Sequence, residues 1–321
     1  MNHPNRGYGF SSYNKNRFRK GKNIIILLVV IIVIALVVLY IALSKSEEKK
    51  LPSLQYLYEN FLFQDVIDRS EELLSKKPLD FETLLYTGLS YYYLGESEYS
   101  PENRIPLFEK SIINLRRAAL VSSQQKGKIQ YIIGEAYYFL GYYYHDLSLE
   151  YLLSSIESGY YGENINEVLG MVYCSLKLYD NALEYFYKAL DEKSCDSLYN
   201  VTAEAHLLNG DYDKAKEYYL HIIETTENAE LKLTTEFQLG VVYYEEKQYE
   251  SALQQFDKVI EQDRNYADSH YYKGNIYEKL AESAEDSAEQ NKYTIMARAE
   301  WREVIKIDPL HILATEKLSG S

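Results

Sequence analysis

The chain has 321 residues, 46% of them hydrophobic, with 35 tyrosines, two cysteines and a formal net charge of −14. Two cysteines exclude a disulfide-stapled scaffold. The charge is unevenly placed: residues 1–43 hold six basic groups and no acid, while the rest hold 28 basic against 48 acidic groups, and that net of −20 repels phosphate and argues against nucleic acid as a partner of the larger part.

In chain order, residues 1–23 are a polar tail carrying Arg6, Lys15, Arg17, Arg19, Lys20 and Lys22. It reads as a disordered flank that fixes topology, in preference to a contact for RNA or anionic lipid. Ile24 to Leu43 come next, 20 residues without charge, glycine or proline and apolar throughout save for Tyr40. At 1.5 Å per residue such a helix is about 30 Å long, the thickness of a bilayer's hydrocarbon core. The sequence therefore predicts a single-pass transmembrane helix over 24–43, uncleaved because its apolar run exceeds a signal-peptide core. The excess of basic groups before it places the N-terminus in the cytoplasm and everything after it on the far side, which is periplasmic in a bacterium. Residues 44–50 form a short linker that reaches at most about 25 Å, so residue 51 and its neighbours stay near the membrane.

From residue 51 onward one spaced set of residues returns with a period of 34. Leu239, Gly240, Tyr243, Tyr249, Ala252, Phe256 and Val259 occupy places 7, 8, 11, 17, 20, 24 and 27 of such a unit. Leu169, Gly170, Tyr173, Tyr179, Ala182, Phe186 and Ala189 fill the same places in an earlier unit, and Ala203, His206, Tyr212, Ala215, Tyr219 and Ile222 fill most of them in the unit between. Places 7, 8 and 11 lie on one face of a first helix, and 20, 24 and 27 on one face of a second. Small residues at 8 and 20 let the two helices approach, and large ones at 11 and 24 fill the volume beside them. One hairpin cannot bury its own apolar faces, so a fixed period of this length means a stack.

This pattern resembles the tetratricopeptide repeat family over residues 51–310, most specifically in the units beginning near Glu163, Asp196 and Leu233. The expected fold is all-α: an α-solenoid of about seven tetratricopeptide-type helix hairpins, preceded by the transmembrane helix, with 311–321 as a C-terminal cap. The first unit, 47–80, keeps Phe63, Val66, Leu73 and Pro78 but lacks the glycine. The second has Gly88 and resumes 11 residues late at Leu115 and Ala118, with Pro101 and Pro106 punctuating a loop and Pro106 in the first turn of its helix. The third has Gly134 and resumes one residue late at Leu147, Tyr151 and Ser154. The last has Gly274 and resumes 11 residues late at Ala297, Trp301 and Val304, with Ala281 to Asn291 extending the helices. Eleven residues are close to three helical turns, so such an insertion preserves the packing faces.

No residue pattern signals chemistry. The six histidines are scattered, and no His-Glu-x-x-His, Cys-x-x-Cys, phosphate-binding glycine loop or nucleophile elbow occurs. No enzyme activity, cofactor or metal is expected. Cys174 and Cys195 are expected to be free.

In the family the first helices line the concave side through places 2, 5, 9, 12 and 13. Carried onto this sequence residue by residue, the resemblance implies a partner-binding surface of Tyr92, Tyr93, Tyr131, Tyr138, Phe139, Phe237, Tyr244 and Tyr271 with Glu135, Glu204 and Glu245. Glu82, Glu167, Asp268 and Glu278 add acid, against Lys128 and Lys279. The family's carboxylate clamp needs lysine at place 5, where this chain has Leu85, Tyr131, Glu167, Asn200, Phe237 or Tyr271, and so it is not expected. The implied function is a membrane-anchored scaffold that binds an extended or helical, basic or aromatic segment of a protein partner, itself membrane-associated, in envelope assembly, secretion or chaperoning. Two alternatives stay open: a cytosol-facing import or chaperone-docking receptor on an organelle, and a glycan- or peptidoglycan-binding subunit of an envelope enzyme complex.

Overall fold

The computed structural model describes residues 31–39 and 52–320. The chain divides into two compact units, Met1–Phe61 and Leu62–Ser321. In the first, residues 31–39 form helix α1, apolar and exposed at every position, and Leu54–Glu59 forms α2. The remainder of the anticipated span 24–43, the tail 1–23 and the linker 44–50 lie outside the described residues. Among the described residues no helix is long and apolar enough to cross a membrane.

The second unit is an all-α tetratricopeptide-type solenoid. It opens with α3 (Phe63–Lys76) and continues as six helix pairs: α4 (Phe81–Ser97) with α5 (Pro101–Val121), α6 (Lys126–Leu140) with α7 (His145–Glu157), and α8 (Ile165–Ser175) with α9 (Tyr179–Glu192). Then come α10 (Asp196–Asn209) with α11 (Tyr212–Thr225), α12 (Ala229–Glu245) with α13 (Tyr249–Gln262), and α14 (Ala267–Ser283) with α15 (Ser287–Ile307). The short α16 (Ile312–Ser319) packs against α15. Each second helix packs on its own first helix and on the first helix of the next pair, and the first helices α4, α6, α8 and α10 also touch in succession. Six complete hairpins thus lie in this unit. The anticipated first hairpin, 47–80, falls across the boundary at Phe61, a residue with φ of 59°.

The repeat places at the helix crossings form the core. Ala182, Phe186, Ala203, Ala215, Tyr219, Ala252, Phe256 and Val259 are buried, each within 1% of complete exclusion, whereas Tyr173, Tyr179, Tyr243 and Tyr249 at places 11 and 17 are half-buried. The two 11-residue insertions do the same thing: both lengthen a pair to 17 and 21 residues. This corrects the expected proline loop. Pro101 opens α5, where its missing N–H is no loss, and Pro106 sits inside the helix rather than in its first turn. Leu115 and Ala118 remain fully buried, as the three-turn argument requires.

The third unit corrects the register. Ser148, Leu152 and Ser155 are fully buried, while Leu147 is exposed and Tyr151 and Ser154 are half-buried. A three-residue 3₁₀ turn, Tyr142–Tyr144, follows Gly141 and sets α7 one place later than the spacing suggests. The Ser148 hydroxyl donates to the Gly134 carbonyl at 2.8 Å, which ties the shifted helix to its partner. Both cysteines are free, and burial pushes the Cys174 thiol up to about 11.

Candidate partner-binding groove

Four consecutive first helices leave a groove of about 790 Å³ between them. Tyr92, Tyr93 and Glu96 enter it from α4, Lys128, Tyr131 and Glu135 from α6, Tyr160, Glu163 and Asn164 from the α7–α8 connection, and Glu167 from α8. Glu192, Lys193, Cys195, Ser197 and Leu198 close its far end. Helical spacing explains the arrangement: Tyr131 and Glu135 are four residues apart on α6, hence on one face.

Glu135 is the centre of the groove's polar network. Its side chain is 4% exposed. The Tyr92 hydroxyl donates to Glu135 Oε2 at 3.0 Å, and the Tyr131 hydroxyl donates to Asn164 Oδ1. Burial pushes the Glu135 carboxyl up to about 7. Hydrogen bonds from Tyr131, Tyr92 and Asn164 oppose that rise, and the nearby charge of Glu96 adds to it. The Tyr131 phenol proton therefore has two acceptors, Asn164 and Glu135. Burial, reinforced by the Glu135 charge, raises the phenols of Tyr92 and Tyr131 as well.

The groove brings together four of the residues named from the sequence as contacts for a partner: Tyr92, Tyr93, Tyr131 and Glu135. Tyr93 stacks on Phe63 of α3, ring centroids 5.3 Å apart, and meets Tyr92 edge-on at 5.2 Å. Tyr138 and Phe139 lie at the other end of α6 and pack against neighbouring helices. Tyr138 stacks on His145 at 5.5 Å, and Phe139 stacks on Phe108 at 5.1 Å beneath the Arg104 guanidinium.

The remaining aromatics form a separate cluster around Tyr272. Phe237, Tyr244 and Tyr271 each meet its ring, at 5.6, 5.3 and 5.9 Å. Phe237 is buried against Phe256 and Tyr266, so it is a packing residue between repeats rather than an open contact surface. Glu204 and Glu245 are exposed on their helices. The repeat places do not mark Glu96, Tyr160 or Asn164. Glu96 lies in the inserted stretch of the second unit, and the other two belong to an inter-repeat connection.

The fold is that of a tetratricopeptide-type solenoid. Models described as tetratricopeptide repeat match residues 164–194 and 197–228, and one described as TPR repeat matches 240–280. The chain is similar to a TPR repeat-containing protein of Methanocaldococcus jannaschii, 28% identical, with 74% of this chain and 42% of that protein covered. It is also similar to BBSome complex member BBS4 of Mus musculus, 41% identical over 76 residues, covering 23% of this chain and 14% of that one. The chain spans under half the length of these relatives. Among solved structures, the C-terminal part of a TPR repeat-containing protein from Cytophaga hutchinsonii matches with a TM-score of 0.54 at 14% identity, covering 83% of this chain and 98% of that one.

Proposed function

We propose that this chain is a non-enzymatic, membrane-tethered scaffold whose groove holds a basic or aromatic, extended or helical segment of a membrane-associated protein partner. Proteins with these repeats bind protein or peptide partners. The observation that carries the reading is the groove shared by α4, α6, α8 and α10, walled by tyrosines and rimmed by Glu96, Glu163, Glu167 and Glu192. Tyrosine supplies a rigid face with a polar tip, and carboxylates steer a cationic segment toward it. The tether rests on the apolar run 24–43, of which residues 31–39 are helical and exposed at every position. The basic flank before it favours repeats on the side opposite the cytoplasm.

The test is photo-crosslinking from position 93 in native membranes, followed by mass spectrometry, in the wild type and in a Glu163→Lys, Glu167→Lys, Glu192→Lys variant of the groove's rim. Glu135 is left intact there, because a lysine at so buried a position tests folding rather than docking. A single protein adduct that weakens in the variant and with added salt supports the reading. A glycan adduct, or none, rejects it.

A further inference from the structure

Buried carboxylates are ordinarily paired with a cation. Glu135 is not: the groups acting on it most strongly are Tyr131, Tyr92, Glu96 and Asn164, three neutral and one of like charge. It nevertheless lines the open groove rather than a closed core. The charged groups that share the groove are Glu96 on α4, Lys128 on its own helix, Glu163 and Glu167 from the α7–α8 side, and Glu192 and Lys193 beyond them. Four carboxylates besides Glu135 thus stand against two ammonium groups. Aromatic rings from three directions, Tyr92, Tyr131 and Tyr160, surround the recess.

We propose that the floor of this groove is a subsite for one basic side chain of the partner segment, arginine ahead of lysine, whose charged head meets the Glu135 carboxylate while its stem lies among the tyrosine rings. The inference rests on the docking reading and adds to it the residue that anchors the segment. The recessed carboxylate selects a long side chain, because a short one or a backbone amine stops at the rim. The flat aromatic walls favour a guanidinium, which stacks on ring faces, over an ammonium. The cation restores the charge balance that the fold leaves open, and the phenols of Tyr92 and Tyr131 hold the carboxylate in place meanwhile. With its carboxyl raised to about 7, Glu135 is partly protonated at neutral pH, so cation binding expels a proton from it.

The experiment uses the full chain in detergent micelles and 12-residue peptides selected on it from a phage-displayed random library. The tightest peptide is resynthesised with each arginine replaced in turn by citrulline, which keeps the shape and removes the charge. One position is expected to lose affinity by roughly 30-fold or more, the scale of a truncated buried charge pair. Glu135→Gln is expected to abolish that discrimination while staying folded, with the helical spectrum of the wild type. Affinity of the wild type should rise from pH 6 to pH 8, with calorimetry in buffers of different ionisation heat showing proton release, and both effects should vanish in Glu135→Gln. Binding that tolerates citrulline at every position, or a folded Glu135→Gln that still discriminates, overturns this inference and leaves the docking reading standing. If Glu135→Gln fails to fold, the citrulline series and the proton count on the wild type decide alone. A library that yields no binder overturns both.

Discussion

Gly240 on α12 lies directly beneath the Phe256 ring of α13: a methyl group in place of its hydrogen would come within 2.7 Å of Phe256 Cε1. The same relation recurs between Gly88 and Leu115, Gly134 and Leu152, Gly170 and Phe186, and Gly274 and Trp301, at 2.4 to 2.7 Å. Phe256 is fully buried and has no room to yield. Gly240→Leu should therefore overpack the helix crossing and cost about 1–3 kcal/mol or more. Thermal unfolding by circular dichroism measures this, and an unchanged midpoint would mean that the crossing is looser in solution.

The turn inside a hairpin gives a second contrast. Gly210 adopts φ of 79°, and Lys177 and Lys247, at the equivalent place, adopt 61° and 59°. A left-handed conformation costs a residue with a Cβ about 1–2 kcal/mol, and glycine almost nothing. Gly210→Ala should lose about 1 kcal/mol, whereas Lys247→Ala should be nearly neutral because that strain is already present. Denaturant titration of the two variants distinguishes them, and equal losses would contradict the backbone geometry.

Both the crossings and the hairpin turns recur with the repeat, and that recurrence made the hairpins legible in the sequence. Gly240 and Phe256, with the other place-8 and place-24 residues, announce the hairpins because steric complementarity permits few alternatives at a close crossing. Insertions of 11 residues also kept their phase, as Gly88 with Leu115 and Gly274 with Trp301 show. The register of α7 was not legible, since a short 3₁₀ turn after Gly141 has no periodicity to betray it. Pro106 misled in the opposite way: a proline marks a favoured break, yet here packing of Phe108 and Ile112 carries the helix through it. At the groove the repeat places named Tyr92, Tyr93, Tyr131 and Glu135, but periodicity alone does not separate Phe237, which packs inward, from Tyr93, which lines an open surface. Asn164 and Tyr160 belong to a connection, where spacing carries no information.

The tether makes its own prediction. The full chain should sediment with membranes, resist alkaline carbonate and leave only in detergent, because 20 apolar residues far exceed what a surface contact requires. Removing residues 24–43 should move the chain to the soluble fraction with its helical spectrum nearly unchanged. Replacing Arg17, Arg19, Lys20 and Lys22 with glutamate should scramble orientation, read as protease sensitivity of the repeats in intact spheroplasts. Recovery of the full chain as a detergent-free monomer would remove the tether from the proposal.

The buried Glu135 and the half-buried Glu300 should impose opposite pH dependences on stability. Burial acts to raise the Glu300 carboxyl, but the hydrogen bond from His270 and the charge of Lys273 outweigh it and hold it below its usual range. The contacts are short, 2.6 Å from His270 Nδ1 and 3.0 Å from Lys273 Nζ, and Lys273 also reaches Asp257 at 2.7 Å. A depressed acid stabilises the fold above its unfolded value near 4.5 and loses that contribution as the pH falls through its folded value. Glu300→Gln should thus cost about 1–3 kcal/mol at pH 8 and much less once the pH has fallen through the depressed folded value. Glu135 runs the other way. Its folded value near 7 lies above the unfolded 4.5, so its penalty is absent in acid, grows between those two values and is complete above them. Glu135→Gln should therefore gain stability relative to the wild type as the pH rises from 5 to 8, on the order of 3 kcal/mol. Calorimetric melting of Glu135→Gln from pH 5 to 8, and of Glu300→Gln from pH 5 downward through the acid range, gives the two slopes. Parallel slopes would mean that Glu135 is already neutralised by a cation, and a flat Glu300→Gln profile would mean that its contacts with His270 and Lys273 are not held in solution.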